Sequence, residues 1–230
     1  MIYVTGDTHG KPARLSQESM PFASAWGKGD TLIVCGDFGY LMNGTTHEDL
    51  FLRELSFRPY TICFVDGNRE NFRMLADLRV TRWHGGSVHR LRRNVIHLMR
   101  GQVYEIEDKR IFTMGGGFSV DRYRRYEGVD WWPQELPCAE EYEAARATLS
   151  QAGMQVDYLL SHTAPSSTLS DIYERTPEEA PLNDFLEWVK QNVAYKRWYF
   201  GHLHMDAALG DNLYALFTCV RELTTGALIW

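Results

Sequence analysis

Residues 64–72 read FVDGNRENF. The apolar, β-branched run Thr61–Val65 stops at Asp66-Gly67 and presents Asn68 at the tip of the turn. A helical pattern then follows over Glu70–Leu78. A strand that runs through a glycine turn into a helix is the repeating unit of α/β layering, and polar groups just past such strands meet at the carboxyl edge of a sheet. The same arrangement recurs along the chain: Ile2–Thr5 runs into GDTHG, Thr31–Cys35 into CGDFG, Tyr158–Ser161 into SHTAP and Trp198–Phe200 into GHLH.

Working outward, further strands are expected over Val95–Leu98, Gln102–Glu107, Arg110–Met114, Leu213–Cys219 and Ala227–Trp230. Helices are expected over Thr46–Leu55, Ala139–Ala152 and Leu182–Val193. The first of these is announced by Thr45 with Glu48 three residues on, a capping-box pattern. There is no repeat, low-complexity tract or linker, and 230 residues suffice for one core. The expectation is a single domain over residues 1–230. One stretch stands apart: Gly115 to Pro137, GGGFSVDRYRRYEGVDWWPQELP, is long for a connection in a compact domain and reads as a functional loop or lid.

Composition limits the function. With 44% hydrophobic and 13% aromatic residues the chain has ample surface to bury, and no apolar run reaches the ~20 residues of a membrane span. The opening MIYVTGDTHG reads as a first strand rather than a signal peptide. Cys35, Cys63, Cys138 and Cys219 lack CxxC spacing and read as reduced thiols of a cytoplasmic protein. A formal charge of −6 argues against non-specific coating of nucleic acid, so no stable nucleic-acid partner is expected. Of 24 basic residues 19 are arginine, a side chain suited to gripping phosphate, although base composition of the gene is the preferred explanation of the overall bias.

The strand ends carry the chemistry. In chain order they offer Asp7 and His9, Asp37, Asn68, His162, then His202 and His204. The glycine beside each of these groups lets the backbone turn tightly, and in DTH and HLH an extended segment directs residues i and i+2 to one side. Carboxylate oxygen combined with imidazole suits Mn²⁺, Fe, Ni²⁺ or Zn²⁺ better than Ca²⁺ or Mg²⁺. Seven donors exceed the needs of one ion. With one shared carboxylate they fill two neighbouring sites, an arrangement that holds a phosphate and generates hydroxide near neutral pH.

The series Asp-x-His, Gly-Asp, Gly-Asn-x-Glu, His, Gly-His-x-His resembles the signature of calcineurin-like metallophosphoesterases, and spans residues 6 to 204. The resemblance implies a four-layer α/β/β/α sandwich of two mixed sheets flanked by helices, with a dinuclear centre. Asp7, His9, Asp37 and His204 would hold one divalent ion; Asp37, Asn68, His162 and His202 would hold the other, with Asp37 as the bridge. The ions are expected to be Mn²⁺, with Fe, Ni²⁺ or Zn²⁺ as alternatives. A metal-activated hydroxide would attack phosphorus in line, on a small phosphorylated substrate or a nucleotide.

The chain departs from that pattern at Arg69, where the family places a general-acid histidine. Arginine stays protonated and cannot donate a proton, but it binds a phosphoryl oxygen by charge-assisted hydrogen bonds. Loss of the acid disfavours alkyl monoesters and favours diesters or anhydrides, whose leaving groups need protonation less. The alternative for Arg69 is a solvent-facing side chain, or one paired with Glu70 or Asp66. Asp37, Asn68 and Arg69 are thus the catalytic candidates. Arg122, Arg124 and Arg125, interleaved with Tyr123, Tyr126, Trp131 and Trp132, read either as a second phosphate clamp or as the rim of an aromatic cluster.

Asp66 and Asp206 read as supports for neighbouring ligands or as turn residues. His47, His84, His89 and His97 are expected at the surface or in loops, and HRLRRN (89–94) as a solvated basic edge. Two further functions stay open: a protein or small-molecule phosphomonoesterase, and a non-catalytic protein that holds metal.

Overall fold

The computed structural model describes residues 1–230 apart from 171, 173–175 and 211. In chain order its strands and α-helices are β1 (Ile2–Thr5), β2 (Thr31–Cys35), α1 (Thr46–Ser56), β3 (Thr61–Val65), α2 (Phe72–Ala76), β4 (Val80–Trp83), β5 (Gly86–Arg92) and β6 (Val95–Leu98). There follow β7 (Gln102–Ile106), β8 (Lys109–Met114), α3 (Ala139–Gln151), β9 (Tyr158–Ser161), α4 (Ser166–Leu169), α5 (Ala180–Asn192), β10 (Arg197–Phe200), β11 (Ala207–Ala208), β12 (Leu213–Ala215) and β13 (Val220–Glu222).

The strands form two mixed sheets. The seven-stranded sheet has the order β13-β1-β2-β3-β6-β5-β4, with β1, β2, β3 and β6 parallel. The six-stranded sheet has the order β11-β12-β10-β9-β8-β7, with β12, β10, β9 and β8 parallel. Period-2 alternation assigns the side chains to layers. Ile2, Val4, Ile33, Cys63 and Val65 from one sheet meet Ile111, Tyr158, Leu160 and Tyr199 from the other. The alternate residues Tyr3, Leu32, Val34, Ile62 and Phe64 face Phe51, Leu52 and Leu55 of α1. On the opposite outer face Phe112, Leu159, Trp198 and Phe200 pack on Ala145 and Leu149 of α3 and Leu182, Phe185 and Leu186 of α5. The result is the expected α/β/β/α sandwich, in which every parallel strand is covered on both faces. Each large apolar side chain so buried contributes about 1.5–3 kcal/mol. No helix among the described residues is long and apolar enough to cross a membrane.

The capping box forms as expected: Glu48 N donates to Thr45 Oγ1 at 3.2 Å and Thr45 N to Glu48 Oε2 at 3.3 Å. Four expectations change. The helix anticipated from Glu70 starts at Phe72, capped by Asn71, because Glu70 is buried and its carboxylate is engaged elsewhere. The strand anticipated over Leu213–Cys219 ends at Ala215; beyond it, Asp206 accepts the N–H groups of Phe217, Thr218 and Cys219 and bends the chain toward β13. Ala227–Trp230 forms no named strand; it meets β13 through an isolated bridge, Leu228 with Arg221, and backbone hydrogen bonds such as Glu222 N to Ala227 O at 2.9 Å. Finally, the β4–β5 hairpin lies in a region with no strand anticipated; β4 is the sheet edge and is half exposed, while β5 pairs on both sides and buries His89 and Leu91.

His89 and His97 are not surface residues. They lie on paired strands β5 and β6, 7% and 5% exposed, with Nδ1 atoms 3.0 Å apart. His97 Nε2 reaches Asp66 Oδ1 at 3.1 Å, and Arg100 donates through Nε to Asp66 Oδ2 at 2.8 Å. Asp66 is therefore one half of a buried ion pair and does not touch a ligand of the series. Burial opposes its charge, but the Arg100 guanidinium and His97 outweigh it and hold the carboxyl well below the usual range. Within 89–94, Arg90 and Arg93 are exposed as a basic edge requires, while Leu91 enters the core and Arg92 pairs with Asp49.

Candidate metal centre

All the series residues lie just past the carboxyl ends of five parallel strands: Asp7 and His9 after β1, Asp37 after β2, Asn68 after β3, His162 after β9, and His202 and His204 after β10. Their convergence does not depend on extended backbone. His9, Asp37, His202 and His204 all adopt positive φ, at 51°, 46°, 65° and 49°. Such conformations are uncommon for residues with a side chain and concentrate where the surroundings impose them. Two of the adjacent glycines act by close approach: a Cβ at Gly201 would stand 2.1 Å from Asp7 Oδ1, and one at Gly67 2.1 Å from Asp37 Oδ1. Gly10 and Gly36, beside His9 and Asp37, adopt positive φ as expected, at 64° and 91°, so glycines and ligand-type residues share the turns.

Two groups of donors face each other. In the first, ligand atoms of Asp7, His9, Asp37 and His204 all lie within 4.8 Å of one another. His9 Nε2 stands 2.9 Å from His204 Nε2, and His204 Nε2 is 3.1 Å from Asp7 Oδ2. In the second, His162 Nε2 is 3.0 Å from Asn68 Oδ1, 3.2 Å from His202 Nδ1 and 3.3 Å from Asp37 Oδ1. Asp37 belongs to both: Oδ1 faces His162, while Oδ2 is 3.4 Å from His9 Nδ1. The buried Asp7 Oδ2 makes no hydrogen bond among the described residues. Its nearest neighbours are His204 Nε2 and His9 Nε2, at 3.1 and 3.7 Å, and a buried carboxylate oxygen amid several crowded imidazole nitrogens is a donor set that fits divalent metal.

Surrounding groups fix each donor. His202 N donates to Asp7 Oδ1 at 3.0 Å and Arg69 N to Asp37 Oδ1 at 2.8 Å. His162 Nδ1 faces the carbonyl of Cys35 at 3.1 Å, leaving Nε2 for the cluster. Asn68 Nδ2 donates to Ser119 Oγ at 3.1 Å, which turns Oδ1 inward. Glu70 accepts from Phe38 N at 2.6 Å and Gly39 N at 3.2 Å and so holds the loop behind Asp37. Burial and the charge of Asp37 push the Glu70 carboxyl well above its ordinary range, against the pull of those two amides. Burial lowers His202, but the Glu179 carboxylate, with Asp37 and Asp7, more than reverses this and raises it to about 9. Asp206 clamps the Phe217 loop, and the Phe217 ring stacks on His204 with centroids 4.7 Å apart, so Asp206 backs His204 through that ring.

The centre opens into a cavity of about 470 Å³ lined by His9, Asp37, Asn68, Arg69, His202 and His204, with Phe118 and Val120 opposite. Arg69 pairs with neither Glu70 nor Asp66. Its Nη2 donates to both oxygens of Asp121, at 3.2 and 3.0 Å, and its buried Nη1 makes no hydrogen bond among the described residues. Arg125 joins the same carboxylate through Nε at 3.1 Å and, with Arg69, lines an adjoining cavity of about 460 Å³. Arg122 lies over the rings of Phe118 and Trp131, and the exposed Arg124 lies over Tyr123; neither lines these two cavities. Trp132 is buried, whereas Tyr123 and Tyr126 are each 76% exposed. The long loop is packed at its base through Trp132 and bonded to Asn68 and Arg69 near its start.

Ser119, Asp121 and Glu179 were absent from the sequence-derived set. The first two lie in the loop singled out by its length. Nothing local marks Glu179.

A sandwich with crowded carboxylate and imidazole donors at the edge between its sheets defines a class of metal-dependent hydrolytic protein. The chain belongs to the calcineurin-like phosphoesterase family, whose sequence model matches residues 1–206. Members bind divalent metals and act on phosphorylated substrates, so the family supports metal-dependent phosphoester hydrolysis. No curated protein matches the chain.

Proposed function

We propose that the protein hydrolyses phosphodiesters or phosphoanhydrides with two divalent transition-metal ions, Mn²⁺ foremost. Asp7, His9, Asp37 and His204 hold one ion; Asp37, Asn68, His162 and His202 hold the other. The observation that carries this reading is Asp37, whose two oxygens face the two donor groups separately. When bound, the ions supply a nucleophile at neutral pH and neutralise the phosphoryl oxygens.

The protein's own residues do the rest. Asn68, tied through Nδ2 to Ser119, keeps its carbonyl on the cluster. Arg69, anchored on Asp121 by Nη2, keeps Nη1 for a phosphoryl oxygen or leaving oxygen, where a charge-assisted bond stabilises developing negative charge. It offers no proton to the leaving group, so substrates with stable leaving groups are favoured. The substrate is a small phosphorylated molecule or nucleotide that fits the cavity at the centre.

The test compares kcat/KM for bis(p-nitrophenyl) phosphate and p-nitrophenyl phosphate with Mn²⁺, in the parent and in Arg69→His. A parent that prefers the diester, and a variant that gains on the monoester, supports the reading. A parent that prefers the monoester, unchanged by the substitution, ends it. Asp37→Asn, measured alongside, is expected to lose at least one ion and nearly all turnover; full activity there removes the two-ion basis.

A further inference from the structure

The acidic group best enclosed beside the second donor group is one that the strand-end series does not contain. Glu179 is 0% exposed, one residue before the start of α5. Its Oε1 lies 3.2 Å from His202 Nε2 and accepts the Phe118 N–H at 2.9 Å. Its Oε2 accepts from Thr163 Oγ1 and Asn183 Nδ2, each at 3.4 Å. The other nitrogen of the same ring, His202 Nδ1, faces His162 Nε2 and, through it, Asn68 and Asp37. The cluster therefore meets His202 at Nδ1 and His162 at Nε2. On the remote side His162 has a backbone carbonyl, whereas His202 has a buried carboxylate.

We infer that Glu179 is the positioning residue of His202: it accepts the Nε2–H and leaves Nδ1 as the nitrogen that ligates metal. A neutral imidazole has one N–H and one lone pair, and the partner of the N–H decides which nitrogen carries the pair. A carboxylate in that place selects the Nε2–H tautomer, holds the ring plane and makes the ligating nitrogen more basic. The same Oε1 anchors Phe118, next to the Ser119 that orients Asn68, so one buried group sets the register of two donors of the second site. The inference rests on the two-ion reading and adds to it the choice of nitrogen and the residue responsible.

The direct test needs no substitution in the residue concerned. The protein is loaded with Zn²⁺, and histidine ring nitrogens are observed by long-range ¹H–¹⁵N correlation, with His202 assigned by its missing signals in His202→Asn. The expected result is a protonated Nε2 and a metal-shifted Nδ1; the reverse overturns the inference. In parallel, Zn²⁺ is titrated against a chromophoric chelator in the parent and in Glu179→Ala. One of the two sites is expected to weaken by about 10–100-fold, the range for lost partners of metal-bound histidine, with the other unchanged. Two sites of parental affinity in the variant overturn it. Should the parent bind no ion, the two-ion reading fails and this one with it; two ions with the nitrogens reversed sink this inference alone.

Discussion

Replacing Asp66 by Asn removes one charge from the buried pair with Arg100, whose side chains are 1% and 6% exposed. Breaking such a pair from one side typically costs about 3–5 kcal/mol, because the surviving charge stays buried. Arg100 retains three acceptors, Glu141 Oε2 at 3.1 Å and the carbonyls of Gln134 at 2.8 Å and Glu135 at 3.3 Å, which places the cost near the lower end. About 3 kcal/mol in a chain of this length corresponds to a fall in Tm of roughly 6–12 °C. The melt is followed by circular dichroism, and ion binding is titrated separately. Metal affinity is expected to stay parental, since Asp66 touches Arg100 and His97 and no ligand of the series. Adding Arg100→Met to Asp66→Asn removes the stranded charge and restores part of the loss. The pH dependence has a definite sign. Asp66 has a depressed carboxyl in the folded state, so its contribution is complete above the ordinary carboxylate value of ~3.9 and is lost as pH falls below it. Asp66→Asn therefore shows a shallower loss of stability in acid than the parent. A variant that melts with the parent but loses an ion would refute the structural role and make Asp66 a support of the metal centre.

Three other perturbations separate positioning from packing. Asp121→Ala releases Arg69 and Arg125 from a carboxylate that is 38% exposed, so stability is expected to change by less than about 1 kcal/mol. Its kcat/KM on the diester is expected to fall about tenfold as Arg69 loses its anchor; steady-state kinetics beside a melt distinguishes the two effects. Glu70→Ala strands the Phe38 and Gly39 amides at a cost of about 1–3 kcal/mol for the fully buried one, and weakens ion binding because the Asp37 loop loses its hold; urea unfolding and metal titration report each. Thr45→Ala deletes the α1 cap, costs about 1 kcal/mol in urea unfolding and leaves ion binding untouched.

The features legible in the sequence are those set by short-range chemistry. The runs Ile2–Thr5, Thr31–Cys35, Thr61–Val65, Val95–Leu98 and Tyr158–Ser161 match the observed strands, because buried parallel strands must be apolar and β-branched wherever they occur. Each donor residue sits where such a run stops. The Thr45–Glu48 box is complete within four residues and so could be read directly.

Tertiary contact decided the remainder. Arg69 reaches Asp121, His97 meets the buried Asp66 and His89 meets His97, and Glu179 meets His202 only because α5 and β10 pack on one edge of the sandwich. Even the turns that aim His9, Asp37, His202 and His204 have left-handed backbones, which are uncommon for residues with a side chain and are held by the surrounding structure. A local pattern specifies which groups arrive at a strand end. Which atom of each then faces inward depends on partners remote in the chain, and burial makes those partners obligatory.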